Sequence, residues 1–94
     1  MEYKVLIELY LPEIEEKYEA YIPINKNIGE IVEQLMNPIR NQHDELPKDV
    51  KPKLYNRHNY RRYYSSELVR NTDIRNGTEL VAILRTPTAT TDDI

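Results

Sequence analysis

The chain contains no cysteine, no tryptophan and no phenylalanine, and only two glycines among its 94 residues. Without cysteine there is no disulfide framework and no thiolate metal site. That fits a reducing compartment, although export is compatible with it too. No apolar run approaches the ~20 residues needed to cross a bilayer. Charged residues begin at Glu2 and recur along the first segment, so no secretory leader pattern is read. These absences predict a cytoplasmic protein.

The apolar residues present are Ile, Leu, Val and eight Tyr. A chain of this length makes one small domain whose core gives only marginal stability. Net charge is −3, unevenly spread. Residues 1–47 hold ten acids and four bases, whereas residues 48–94 hold nine bases and six acids. The contrast is sharpest across residues 48–64, where Lys48, Lys51, Lys53, Arg57, Arg61 and Arg62 face the single acid Asp49. Such a patch can steer an acidic partner, or it can be a solvated hairpin.

Residues 3–11 alternate as a strand, with Val5, Ile7 and Leu9 inward and Lys4, Glu8 and Tyr10 outward. Pro12 ends it, and a charged link over residues 13–16 leads to a second alternating run over 17–24. The two predict an antiparallel hairpin. Asn27 is a natural N-cap, and Ile28, Ile31, Val32, Leu35 and Met36 form one helical stripe. Pro38 predicts an end to the regular helix near Asn37. After a polar loop over residues 42–51, short strands are expected at 52–56 and 60–64. Asn59 is the expected positive-φ residue between them. Ser65 and Ser66 read as an N-cap pair for a turn through Val69. Asn76-Gly77 then turns the chain into a last strand over residues 78–85, apolar on both faces. Residues 86–94 read as a disordered tail, leaving a domain over residues 1–85.

A hairpin, one helix, short strands and a final strand make an α+β roll. The first and last strands are expected to lie parallel in the middle of a mixed four- to five-stranded sheet, with the helix across one face. This order resembles the ubiquitin-like β-grasp. Ile28, Ile31 and Leu35 fall where ubiquitin buries its helix, and Ile74 matches the buried Ile before ubiquitin's last strand. The run Leu54-Tyr55-Asn56-Arg57, with Val69 and then Ile74-Arg75-Asn76-Gly77-Thr78-Glu79-Leu80, resembles the EsaB/YukD family of type VII secretion accessory proteins. The resemblance covers residues 3–85. It implies a cytoplasmic bacterial interaction module with secretion-machinery partners, recognised through the exposed sheet around Val81 and Ile83. Arg57, Arg61, Arg62 and Arg85 would form a basic rim.

Other chemistry finds little support in the residues. A conjugated modifier or sulfur carrier needs a Gly-Gly carboxylate, and the sequence holds no Gly-Gly pair. His43 and His58 lack metal-ligand spacing. No nucleophile triad, phosphate loop or paired-carboxylate motif is legible, so neither enzymatic activity nor a cofactor is expected. The Tyr/Arg segment over residues 55–64 offers an alternative, a small nucleic-acid-binding domain that stacks bases on Tyr and holds phosphate with Arg. A net acidic chain disfavours it.

Overall fold

A computed structural model describes residues 3–84. Arg85 and the expected tail lie outside the described residues. Five strands form one sheet: β1 (Lys4–Leu11), β2 (Glu16–Pro23), β3 (Lys53–Asn56), β4 (Arg62–Tyr63) and β5 (Thr78–Ile83). Their spatial order is β2-β1-β5-β3-β4. β1 and β5 run parallel at the centre, and every other pairing is antiparallel. The helix α1 (Ile28–Gln42) lies across one face.

Alternation sorts the residues between faces. Ile7, Leu9 and Leu11 of β1 are buried, as are Leu80 and Ala82 of β5, Leu54 of β3 and Tyr63 of β4. They meet Ile28, Ile31, Val32, Met36 and Ile39 of α1. Each fully buried aliphatic side chain contributes about 1.5–3 kcal/mol. Ile74 and Val69 complete the core from the segment between β4 and β5.

Asn27 caps α1 as its residue type predicts. Its side chain accepts from the Glu30 N–H at 2.9 Å, and Glu30 reaches back to the Asn27 N–H at 3.5 Å. The helix does not end before Pro38 but continues to Gln42. Pro38 lies on the exposed side, while the next residue, Ile39, is buried. Arg40 donates to the Val50 carbonyl at 2.7 Å and lies 3.7 Å from Glu33. These anchors hold the last turn in place despite the lost hydrogen bond.

The stretch after β3 differs from the expectation in three ways. Tyr60, not Asn59, has positive φ, at 61°. The Asn59 side chain instead accepts from the Arg61 N–H at 3.0 Å. β4 is only two residues long, because Tyr60 and Arg61 are used in the turn. Ser65 and Ser66 do not cap the turn that follows, which starts from Leu68 without a side-chain cap; the Ser65 carbonyl instead accepts from the Gly29 N–H in the first turn of α1. The short helical turn is a 3₁₀ segment, Val69–Asn71, which docks by Val69 N–H to the Lys26 carbonyl and Arg70 N–H to the Ile24 carbonyl.

The central parallel pair is fixed from outside the ladder. The Leu6 N–H donates to the Asn76 side-chain oxygen at 2.8 Å, and the Gly77 N–H donates to the Leu6 carbonyl at 2.8 Å. Gly77 has φ +89°, a conformation costly for a side chain, although no atom stands within 4 Å of an added Cβ. Asn76→Ala should cost about 1 kcal/mol by removing the Leu6 acceptor. Asn76→Asp keeps an acceptor and should recover most of it. Gly77→Ala should cost about 1 kcal/mol through backbone strain alone. Urea midpoints of the three variants check these values.

Candidate protein-interaction surface

The face of the sheet away from α1 is ordered by strand register. Lys17 pairs with Tyr10, Tyr10 with Val81, Val81 with Tyr55, and Tyr55 with Arg62. One row therefore crosses all five strands, apolar at its centre and basic at both ends. The next row along β5 and β3 pairs Ile83 with Lys53. On the other side of the Tyr10 row, Glu19, Glu8 and Glu79 stand opposite one another. Lys17 lies 3.8 Å from Glu8, which reduces the repulsion between the acids, and the His58 ring nitrogen Nε2 is within hydrogen-bond distance of Glu79 at 2.8 Å.

Val81 and Ile83 are only partly covered. With Tyr10, Pro12, Tyr55, Arg57 and Tyr60 they line an open apolar depression of about 430 Å³. Arg57 stands with its guanidinium 5.1 Å from the Tyr10 ring centre. The aromatic bodies supply a large contact area, and the Tyr hydroxyls and Arg57 supply polar ends, a combination suited to recognition.

The structure thus brings three of the sequence-derived candidates together: Val81, Ile83 and Arg57. Arg61 sits elsewhere. It is held between Glu67 at 2.9 Å and Asp73 at 3.0 Å, above the Tyr63 ring. Arg62 ends the Tyr10 row but lies over the Tyr64 ring at 4.6 Å and does not line the depression. Arg85 lies outside the described residues. Tyr10 was not among the candidates, and Tyr55, Tyr60 and Lys53 entered only through the Tyr/Arg segment and the basic patch, not as part of this surface. The outward position of Tyr10 is legible in the alternation of β1, but its neighbourhood with Tyr55 depends on pairing between distant strands.

The Tyr/Arg segment does not present one stacking platform. Tyr63 is buried, Tyr64 lies under Arg62, and Tyr55 and Tyr60 line the depression. His43 lies 3.3 Å from Glu45 and 3.4 Å from the Tyr18 hydroxyl. Among the described residues, no group of three His, Cys, Asp or Glu is placed to hold a metal ion, and no helix is long and apolar enough to cross a membrane.

A crossover that places the first and last strands in parallel at the centre of a five-stranded mixed sheet, under one helix, decides the architecture. The fold is the ubiquitin-like β-grasp. The ubiquitin of Caldiarchaeum subterraneum superposes with a TM-score of 0.67 at 18% identity, over 89% of this chain and 96% of that one. A chain of the toluene 4-monooxygenase HD complex does so with a TM-score of 0.75 at 5% identity, over 88% and 100%. A chain of the MycP5-free ESX-5 inner membrane complex gives 0.70 at 10% identity, over 88% of this chain but 21% of that one. No protein-family model and no curated protein sequence matches. At such identities the likeness is one of fold.

Beside the ubiquitin-like sheet, the Arg61 cluster has a titratable core. The Tyr63 hydroxyl donates to Asp73 at 2.5 Å. That bond, with help from Arg61, holds the Asp73 carboxyl below its ordinary range against the opposing effect of burial. Burial, then the bond to Asp73, pushes Tyr63 up. A depressed Asp73 stabilises the fold above its unfolded value, near pH 4, and that contribution is lost as pH falls through the folded value. A raised Tyr63 contributes fully below about pH 10 and loses its contribution as pH climbs through the folded value. Asp73→Asn should therefore be less stable than wild type at pH 7, with the gap shrinking below about pH 4. Urea midpoints measured across the acid range check this.

Proposed function

We propose that this chain is a non-enzymatic interaction module that docks a protein partner on its outer sheet face, as a cytoplasmic accessory factor of a bacterial type VII secretion system. The docking proposal rests on one observation, the registered Tyr10–Val81–Tyr55 centre with Ile83 and Arg57 beside it. A contiguous apolar and aromatic patch on a small domain, with charge at its margin, has the anatomy of a binding surface. The secretion assignment is supported by the EsaB/YukD-like run from Leu54 to Arg57 and from Ile74 to Leu80, and by the fold shared with a chain of the ESX-5 inner membrane complex.

A partner that fits this face presents an apolar side chain to Val81 and Ile83 and an acidic group to Arg57 or Lys53. Val81→Asp with Ile83→Asp places two charges in the contact while leaving Leu80 and Ala82 in the core. Loss of one central anchor costs ~1–2 kcal/mol, so the pair should weaken binding by at least about tenfold. Arg57→Glu should mainly slow association and flatten or reverse its salt dependence, because the attraction that salt screens is gone. Parallel pull-downs from the native host, with the folded state of each variant checked by circular dichroism, provide the test. Equal capture of every partner by wild type and by the doubly charged variant would falsify docking on this face.

A further inference from the structure

A second surface lies at the opposite margin of the sheet, along β2. Among the described residues this strand has a neighbour on one side only. Its pairing with β1 runs one-to-one over all eight residues, with no bulge. The Ile24 N–H donates to the Tyr3 carbonyl at 3.0 Å, which sets the phase of the ladder. Bonded and non-bonded pairs alternate between antiparallel strands. Ile22, Ala20 and Tyr18 therefore direct their backbone groups to β1. Lys17, Glu19 and Tyr21 direct theirs to the free edge. The same phase follows from the other side, because Leu6, the partner of Tyr21, gives both its backbone groups to Asn76 and Gly77. Edges of natural sheets are commonly blunted by short length, bulges or proline. Here Pro23 limits only the far end.

Beside this edge runs a groove of about 280 Å³ between β2 and α1. Leu9, Tyr18, Ala20, Leu35, Pro38 and Ile39 line it with mostly apolar surface. Pro38 thus faces the groove from within the helix. It offers no N–H to the carbonyl of Gln34, which lines the same groove and is left an acceptor that a regular helix would have satisfied. Strand-directed backbone groups and an apolar trough lie side by side, the two things an added strand needs.

Charge specifies what the strand carries. The groove is built from residues 1–47, the half with ten acids and four bases. Glu19 borders it on β2, with its side chain on the Glu8 side of the sheet, and Glu16 stands exposed at its end. The nearby bases are engaged, Lys17 with Glu8, and Arg40 with Glu33 and the Val50 carbonyl. We propose that the β2 edge and the β2–α1 groove receive an extended apolar segment of a partner protein, flanked by Lys or Arg, through strand addition. The segment bonds to Lys17, Glu19 and Tyr21, places alternate side chains in the groove, and sets its basic flanks against Glu16 and Glu19.

The test uses the full chain, isotope-labelled, with a synthetic Lys-Lys-Val-Thr-Val-Ile-Lys-Lys peptide as the probe. Amide shifts are expected at Lys17, Glu19, Tyr21 and along residues 34–39. A peptide with N-methylated alternate amides, and one with Glu in place of each Lys, should each bind at least about tenfold more weakly. Glu19→Pro is the decisive variant. It removes an N–H that faces the free edge, so the β1–β2 ladder stays intact while strand addition is blocked. Binding to Glu19→Pro equal to wild type would overturn the proposal. So would an absence of shifts at millimolar peptide, or shifts confined to the Val81 and Ile83 face, which would support docking there instead. Concentration-dependent broadening of β2 signals without peptide would assign the edge to a second copy of the chain and overturn it as well.

Discussion

The grip of Asn76 and Gly77 on Leu6 is the constraint from which the rest of the sheet takes its register. Parallel neighbours cannot be joined by a tight turn, so β1 and β5 meet only after most of the chain has passed between them. Their alignment must be specified locally where they meet. The Asn76 side chain accepts from the Leu6 N–H and the Gly77 N–H donates to the Leu6 carbonyl, so a single residue of β1 is held at both its backbone groups. From that point Leu9 lies beside Leu80, and Tyr10 beside Val81. A slip of one residue would turn every β5 side chain to the opposite face. Leu80 and Ala82 would leave the core, Glu79 and Val81 would be forced into it, and the Tyr10–Val81–Tyr55 row would cease to exist. Core and proposed docking face therefore depend on one choice of register.

That dependence explains which parts of the molecule are legible in the sequence. Strands β1, β2 and β5 and the apolar stripe of α1 declare themselves by period, and Asn27 and Gly77 by residue type. The end of α1 does not. Pro38 disfavours continuation locally, but Ile39 buried against the sheet and Arg40 bonded to Val50 outweigh one missing hydrogen bond. The turn between β3 and β4 is equally opaque. A buried Asn56 organises it, accepting from the His58 and Asn59 N–H groups and donating to the Tyr63 hydroxyl. Those bonds set the path of the loop and leave Tyr60, rather than the more permissive Asn59, with positive φ. A buried polar residue that satisfies three partners has no periodic signature.

The candidate surface is legible to a similar, partial degree. Val81 and Ile83 follow from the alternation of β5, since Leu80 and Ala82 must face the helix. Tyr55 and Lys53 follow only from antiparallel pairing with β5, and Tyr10 only from parallel pairing with it. The basic residues illustrate the limit of reading charge along a chain. Arg57, Arg61 and Arg62 are near neighbours in sequence but face three environments. Arg57 reaches the Tyr10 ring beside the depression, Arg61 is held by two carboxylates, and Arg62 lies over Tyr64.

The difference between Arg57 and Arg61 is energetic as well as positional. Arg61 already has two acidic partners and an aromatic ring, so recruiting it to a ligand would first require breaking those contacts and leaving Glu67 and Asp73 uncompensated. Arg57 has only a ring beneath it among the described ion pairs and stacked contacts, and it can accept an acidic group without giving that contact up. The same consideration separates Lys17 from the acids on β2. Lys17 is engaged with Glu8, whereas Glu19 is exposed along the free edge. Charges already compensated within the fold position its elements, and charges left uncompensated determine the sign of what can approach. On that basis the sheet face favours acidic company and the β2 edge basic company. The two proposed surfaces, on a face and on an edge of the same sheet, would then select partners of opposite charge and would not compete with one another.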